Sequence, residues 1–205
     1  MKSVLFDFDG VIVDSFELSY RCVGIVNPNP PTKEEYRRYF DGNIFKSTEV
    51  NRQKKKFEVS EDDPFNVEYV LGLLELDPVD GMSEVLRTLN VDYRSAIISS
   101  SINNPIKKYL NKFQLDGIFE EIYGAEFSLS KEVKIKVALE KFQITGDEAV
   151  FITDTLGDMR EAAKVGVKSI GVTWGFQKES NLKKGNPVAI VNTPEELLAT
   201  IESLG

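Results

Sequence analysis

Histidine is absent from all 205 residues. That absence removes Ser-His and Cys-His nucleophile pairs, His-ligated zinc and any phosphohistidine mechanism, and leaves acid–base work to carboxylates, Lys, Tyr or water. Cysteine is almost as scarce. Cys22 stands alone, so neither a disulfide framework nor a thiolate metal site is available. Positive charge is in deficit, with 25 Lys and Arg against 33 Asp and Glu and a net charge of −8. Phosphate-backbone binding needs clustered cations, and the one short run, Lys54-Lys55-Lys56, reads as a solvated helix face. Nucleic acid is therefore not an expected partner. No apolar run approaches the ~20 residues of a membrane span, and Met1-Lys2 leads straight into an apolar strand with no signal peptide. A cytoplasmic protein without membrane contact is expected.

What is present is an alternation of short apolar runs and helical patterns. Strands are predicted at Ser3–Phe8, Arg94–Ser99, Ile118–Tyr123, Ala149–Thr153, Lys168–Val172 and Val188–Val191. Helices are predicted between the later ones, at Pro105–Phe113, Glu132–Phe142, Met159–Val165 and Pro194–Leu204. This order implies βαβ units and a Rossmann-like parallel sheet, an α/β fold. Ser95-Ala96-Ile97-Ile98 and Ala149-Val150-Phe151-Ile152 lack polar alternation, as strands covered on both faces should. From Phe16 to Val79 the rhythm breaks, and the patterns at Glu17–Val26, Lys33–Phe40 and Pro64–Leu76 are all helical. Thr32, with Glu35 three residues on, marks a capping-box helix start. The expected organisation is an α/β core from 1–15 and 80–205, with a small helical cap inserted at 16–79 and Asp77-Pro78-Val79-Asp80-Gly81 as the return hinge.

Chemistry concentrates at strand ends. Asp7-Phe8-Asp9-Gly10 closes the first strand, and ligands of open α/β sheets bind outside the carboxyl ends of the strands. A turn accounts for Asp9-Gly10 but not for Asp7, which reads as a nucleophile. Ile97-Ile98 runs into Ser99-Ser100-Ser101, whose hydroxyls and backbone N–H groups suit phosphate oxygens, although taken alone they are better explained by a loop with an N-cap. Lys131 lies in the first turn of a helix, where a cation opposes the dipole unless it meets an anion. Phe151-Ile152-Thr153 ends in Asp154, and Asp158 follows in the first turn of the next helix, where dipole compensation is an alternative explanation. If these strands are neighbours, Asp7, Asp9, Asp154 and Asp158 crowd together. Four acids with oxygen-only ligands suit Mg²⁺.

This ordered set resembles the haloacid dehalogenase-like hydrolase superfamily, in particular its phosphoglycolate-phosphatase-like branch with a helical cap, over nearly the whole chain. The resemblance implies Asp7 as nucleophile, Asp9 as general acid/base, and Ser99, Ser100 and Lys131 as phosphate-binding residues. It also implies Mg²⁺ held by Asp7, the Asp9 carbonyl and Asp154, with Asp158 acting through water. Glu132 replaces the proline that usually follows the lysine. Lys134 and Lys136 are therefore alternatives to Lys131, which is favoured by position. Thr153, Gly157 and Ser100 also depart from the usual residues. The implied activity is a Mg²⁺-dependent phosphomonoester phosphatase acting through a phosphoaspartyl intermediate on a small cytosolic metabolite. The alternatives are a sugar phosphomutase of the β-phosphoglucomutase type, which commonly uses a histidine that this chain lacks, and a non-catalytic phosphometabolite-binding protein. Dehalogenation is disfavoured by the acid at Asp9. Phosphoglycolate, a sugar phosphate and a nucleoside monophosphate all remain open as substrates. Phe40, Asp41, Gly42, Asn43 and Phe45 are candidates to enter the cleft, though packing and turn chemistry explain them as well.

Overall fold

Alternate residues of each central strand enter opposite cores. Val4, Phe6, Ile97, Val150 and Ile152 join one buried cluster, and Leu5, Ala96, Ile98, Ala149 and Phe151 join another. Side chains alternate across a strand, so a sheet covered on both faces needs apolar residues at every position. A computed structural model describes residues 1–46 and 62–205. The Lys54-Lys55-Lys56 run lies outside the described residues.

The strands are β1 (Ser3–Phe6), β2 (Arg94–Ile98), β3 (Glu121–Tyr123), β4 (Ala149–Thr153), β5 (Lys168–Val172) and β6 (Ala189–Val191). They form one parallel sheet in the order β3-β2-β1-β4-β5-β6. Ser3 aligns with Arg94 on one side and Ala149 on the other. The strand order reverses between β1 and β4, which is where a crevice opens in such sheets.

The helices are α1 (Phe16–Val26), α2 (Lys33–Arg38), α3 (Pro64–Leu73), α4 (Met82–Asp92), α5 (Asn103–Lys112), α6 (Lys131–Phe142), α7 (Leu156–Lys164), α8 (Glu179–Leu182) and α9 (Pro194–Leu204). One face of the sheet is covered by α4, α5 and α9 through Met82, Leu86, Ile106, Leu197 and Ile201. The other is covered by α6 and α7 through Ile135, Leu139, Phe142 and Ala162. No described helix is long and apolar enough to cross a membrane.

Several boundaries differ from expectation, and two helices, α4 and the short α8, were not anticipated. Helix α4 follows directly on the Asp77–Gly81 turn, and its Met82, Val85, Leu86 and Leu89 recur at helical spacing and are buried. Strand β3 is shorter than expected because the chain turns at Leu115 to Ile118, with the Ile118 N–H on the Leu115 carbonyl at 3.2 Å. The third inserted helix stops at Leu73. Its start is set by Asp63, which accepts from the Phe65 N–H at 2.9 Å, and by Pro64 in the first turn. The Thr32–Glu35 capping box forms as expected.

The segment between β1 and α4 seats on the core through aromatic rings. Phe16, Tyr36 and Phe176 form a third buried cluster, with Phe40 edge-on to Phe176 at 4.9 Å. The Arg37 guanidinium lies 3.6 Å over the Phe16 ring and donates to the Phe176 carbonyl. Gln177 donates to the Arg37 carbonyl and to Asp41 Oδ1 at 3.0 and 2.7 Å. The two parts are thus joined across the crevice by rings and by backbone-directed hydrogen bonds.

Candidate active site

The end of β1 turns sharply. The Ile12 N–H bonds the Phe8 carbonyl at 2.9 Å and the Gly10 N–H bonds Val13 at 2.8 Å. Gly10 has φ +74°, and a Cβ there would collide with the Asp154 side chain. Gly175 faces the same carboxylate and the Gly10 carbonyl as closely. Two bare backbones therefore let the β1 and β4 ends meet around Asp154.

Asp7 is buried, and its Oδ1 accepts from the Phe8 N–H at 2.7 Å. Lys131, at the start of α6, bridges Asp7 Oδ2 and Asp158 Oδ2 at 2.6 Å each. The cation in the first turn of a helix does meet anions. Thr153 Oγ1 adds a donor to Asp158 at 2.9 Å, and the Phe176 N–H donates to Asp154 Oδ2 at 2.6 Å. Carboxylate oxygens of Asp7, Asp154 and Asp158 lie within 4.8 Å of one another.

These carboxyls titrate apart. Burial raises Asp7 well above the usual carboxylate range, against the pull of Lys131. Burial pushes Asp154 up to about 7, opposed by the Phe176 N–H. Burial acts on Asp158 in the same direction, but Lys131 and the hydrogen bonds to it outweigh this and hold it below its ordinary value. Burial also opposes the charge on Lys131, yet Asp158 and Asp7 keep that amine above the usual lysine value. A set of acids whose environments drive their values apart is a common property of functional sites.

Asp9 belongs to a different network. Its Oδ1 accepts from Ser15 Oγ at 2.7 Å and from the Tyr69 hydroxyl, and its Oδ2 accepts from Ser101 Oγ at 2.6 Å. Its carboxylate is not in the Asp7–Asp154–Asp158 group. Ser99 is fully buried and its Oγ accepts from the Ser101 N–H at 2.9 Å, while Ser100 and Ser101 line the cavity. Lys134 is also fully buried, but its amine donates to the Ser99 carbonyl, and burial lowers it to about 7. Lys136 is exposed. Of the three lysines, Lys131 is the one that reaches the carboxylates.

Ser15, Tyr69 and Glu161 join the site without having been singled out as site residues, and Ser101, expected among the phosphate-facing hydroxyls, bonds Asp9. Glu161 accepts from Ser130 Oγ at 3.0 Å and from the Asn43 amide at 3.1 Å, linking the inserted segment to the start of α6. Ser101 ends the hydroxyl run and Glu161 lies one turn after Asp158, so both carried a signal. Tyr69 carried none, since within α3 it reads as packing.

Above these groups lies a cavity of about 230 Å³ that reaches from Asp7 into the inserted segment, where Phe40, Gly42, Asn43 and Phe45 line it. A family model described as haloacid dehalogenase-like hydrolase matches residues 4–172, which include every strand end described above except that of β6. The chain belongs to the haloacid dehalogenase-like hydrolases. A phosphoglycolate phosphatase from Synechococcus elongatus is 26% identical to it over 100% of this chain and 99% of that protein. A 5′-nucleotidase from Pseudomonas aeruginosa is 25% identical over 90% of this chain and 88% of that protein. The crystal structure of a predicted phosphatase from Clostridium acetobutylicum matches with a TM-score of 0.75 at 27% identity, covering 98% of each chain. Within this hydrolase family the chain is an enzyme, and its parallel sheet is the family's α/β core.

The acidic group suits a divalent cation. Asp154 Oδ1 is buried with no hydrogen-bond partner among the described residues. An orphaned carboxylate oxygen beside two further carboxylates is the donor set a hard, oxygen-preferring ion takes.

Proposed function

We propose that the protein is a Mg²⁺-dependent phosphomonoester phosphatase that works through a phosphoaspartyl intermediate on Asp7. The observation that carries the reading is Lys131 bridging Asp7 and Asp158, beside Asp154, on the floor of a cavity at the sheet's switch point. The relatives named phosphoglycolate phosphatase and 5′-nucleotidase support it.

The central difficulty is charge. At ~4 Å and an effective dielectric of ~20, two like unit charges repel by about 4 kcal/mol, so a carboxylate facing a phosphate dianion meets roughly twice that. Lys131 supplies one fixed positive charge at the nucleophile. Mg²⁺ held by Asp7, the Asp9 carbonyl and Asp154, with Asp158 acting through water, would keep Asp7 ionised at neutral pH and offset charge on the phosphoryl oxygens.

Asp7 attacks phosphorus as the bond to the leaving oxygen breaks, and Asp9 protonates that oxygen. Ser100, which follows β2 and lines the cavity, and Lys131 hold the transferring phosphoryl group, while buried Ser99 accepts from the Ser101 N–H and fixes that loop. Asp9 then takes a proton from the water that attacks the phosphoaspartate, which regenerates Asp7 and releases phosphate. Ser15, Tyr69 and Ser101 fix the Asp9 carboxylate beside the cavity throughout. The segment at 16–79 acts as a cap over core 1–15 and 80–205, excluding bulk water and selecting the alcohol part of a small phosphorylated metabolite.

The test is phosphate release from ethyl phosphate with Mg²⁺ by the wild type and by Asp7→Asn. Mg²⁺-dependent turnover that disappears in the variant is the expected result. Turnover that survives in Asp7→Asn would remove Asp7 as the nucleophile.

A further inference from the structure

The cavity has two unlike ends. Lys131 is the one cation among its described lining residues, and its amine is already engaged by Asp7 and Asp158. The other charged groups there are carboxylates, with Asp9 and Glu161 at the sides. Away from the strand ends the lining is mainly apolar, with rings from Tyr36, Phe40, Phe45, Phe65 and Tyr69 interrupted by Ser19, Asn27, Asn43 and Asn66. Phe65 and Tyr69 stack in parallel, 5.8 Å apart and tilted by 8°, while Tyr36 meets Phe40 edge-on at 5.3 Å and 83°. The Asn43 amide is spent on the Leu129 carbonyl and Glu161, and the Tyr36 hydroxyl on Ser19 at 2.6 Å.

We infer that the enzyme selects phosphate monoesters whose alcohol is uncharged and carries a flat ring, and that it discriminates against esters with a second anionic group. This rests on the phosphatase reading and names its substrate class. A carboxylate or second phosphate on the alcohol would enter a wall that offers no described counter-ion and would lie near Asp9 and Glu161. A buried charge without a partner is strongly disfavoured. A flat ring meets faces and edges of the kind aromatic pairs adopt, in a space small enough to enclose one. Phosphoglycolate and pyrophosphate fail this criterion, whereas an aryl-alkyl phosphate and a nucleoside 5′-monophosphate meet it.

The experiment compares kcat/KM with Mg²⁺ for 2-phenylethyl phosphate, uridine 5′-monophosphate, ethyl phosphate and phosphoglycolate. At least one ring-bearing ester should exceed phosphoglycolate by on the order of a hundredfold, and the better of the two identifies the ring type. In Phe65→Ala the preference for the ring ester over ethyl phosphate should fall roughly tenfold. Phe65→Leu keeps the apolar bulk without the flat face, and should lose preference in the same sense if Phe65→Ala fails to fold. Phosphoglycolate turned over as well as the ring esters or better would overturn the substrate class while leaving the phosphatase intact. So would an unchanged ratio in both variants. No turnover of any of the four would overturn the phosphatase reading and this inference with it.

Discussion

At the ends of β1 and β4, buried Asp7 and Asp154 and half-buried Asp158 bring carboxylate oxygens within 4.8 Å of one another, and buried Lys131 bridges Asp7 and Asp158. Across the same cavity, the inserted segment presents Tyr36, Phe40, Phe45 and Phe65 and, among the described residues, no free cation. The floor is costly to build, because burial opposes every charge in it and pairing and hydrogen bonds must offset this. The wall is cheap, because rings pack without demanding partners. The contrast separates two tasks. Phosphoryl chemistry needs fixed charges at defined points, and these are set on rigid strand ends. On the proposed reading, choice of alcohol needs shape, and it falls to the helical segment, which touches the acids through Tyr69 on Asp9 and Asn43 on Glu161.

That separation predicts a gradient of effects. Asp7→Asn should lower phosphate release by roughly 10³-fold or more with little change in melting temperature, read by activity and thermal unfolding on the same samples. Lys131→Met should cost activity by roughly 10²- to 10³-fold and, in metal-free protein, stability by about 3–5 kcal/mol, because it leaves two buried carboxylates unpaired. Urea unfolding measures the second effect. If Lys131→Met were fully stable, the floor would not be the interdependent charge network described.

Metal and pH sharpen the same contrast. In the folded protein Asp154 titrates near about 7 rather than at 3.8, so the fold prefers its neutral form. Its contribution is fully present below about pH 4 and is lost as pH rises through 7. Metal-free protein should therefore lose stability from this group across that window. Mg²⁺, which binds the ionised form, should raise the melting temperature more at pH 8 than at pH 5. Equal shifts at both values would separate Asp154 from the ion.

Smaller effects are expected where floor and wall touch. Tyr69→Phe removes one of three hydroxyls from Asp9 and should cost about 1 kcal/mol of stability, with a drop in kcat that exceeds any rise in KM. At the far side of the insert, Thr32→Ala removes the capping-box hydroxyl. It should cost about 1 kcal/mol and leave phosphate release unchanged.

The floor was legible in the sequence because its residues follow strands that only a double-faced sheet explains. Asp7 and Ser99 each end an apolar run, Asp154 follows one after Thr153, and an acid at such an exit, as at Asp7 and Asp154, is conspicuous. Lys131 was legible by its opposition to the helix dipole, and its contacts with Asp7 and Asp158 show how that opposition is met. Helix α4 was missed because the hinge reading of Asp77–Gly81 masked the helical spacing of Met82, Val85, Leu86 and Leu89. The three hydroxyls on Asp9 were not legible, since Ser15, Tyr69 and Ser101 come from places that only the folded chain brings together. The wall was visible only as candidates. Phe40 and Phe45 in a turn look the same whether they pack inward or line a cavity.

The position of β1 has a consequence for how the protein is made. This strand lies at the centre of the sheet, yet its partners Arg94 and Ala149 come far later in the chain. During synthesis, Ser3-Val4-Leu5-Phe6 leaves the ribosome as an unpaired apolar segment, and Asp7 beside it has no site to enter until β4 has emerged. Such long-range parallel pairing is slow and leaves sticky edges open to other chains. A strand wholly buried in the finished enzyme is thus the part that waits longest in the open, where a chaperone has most to protect.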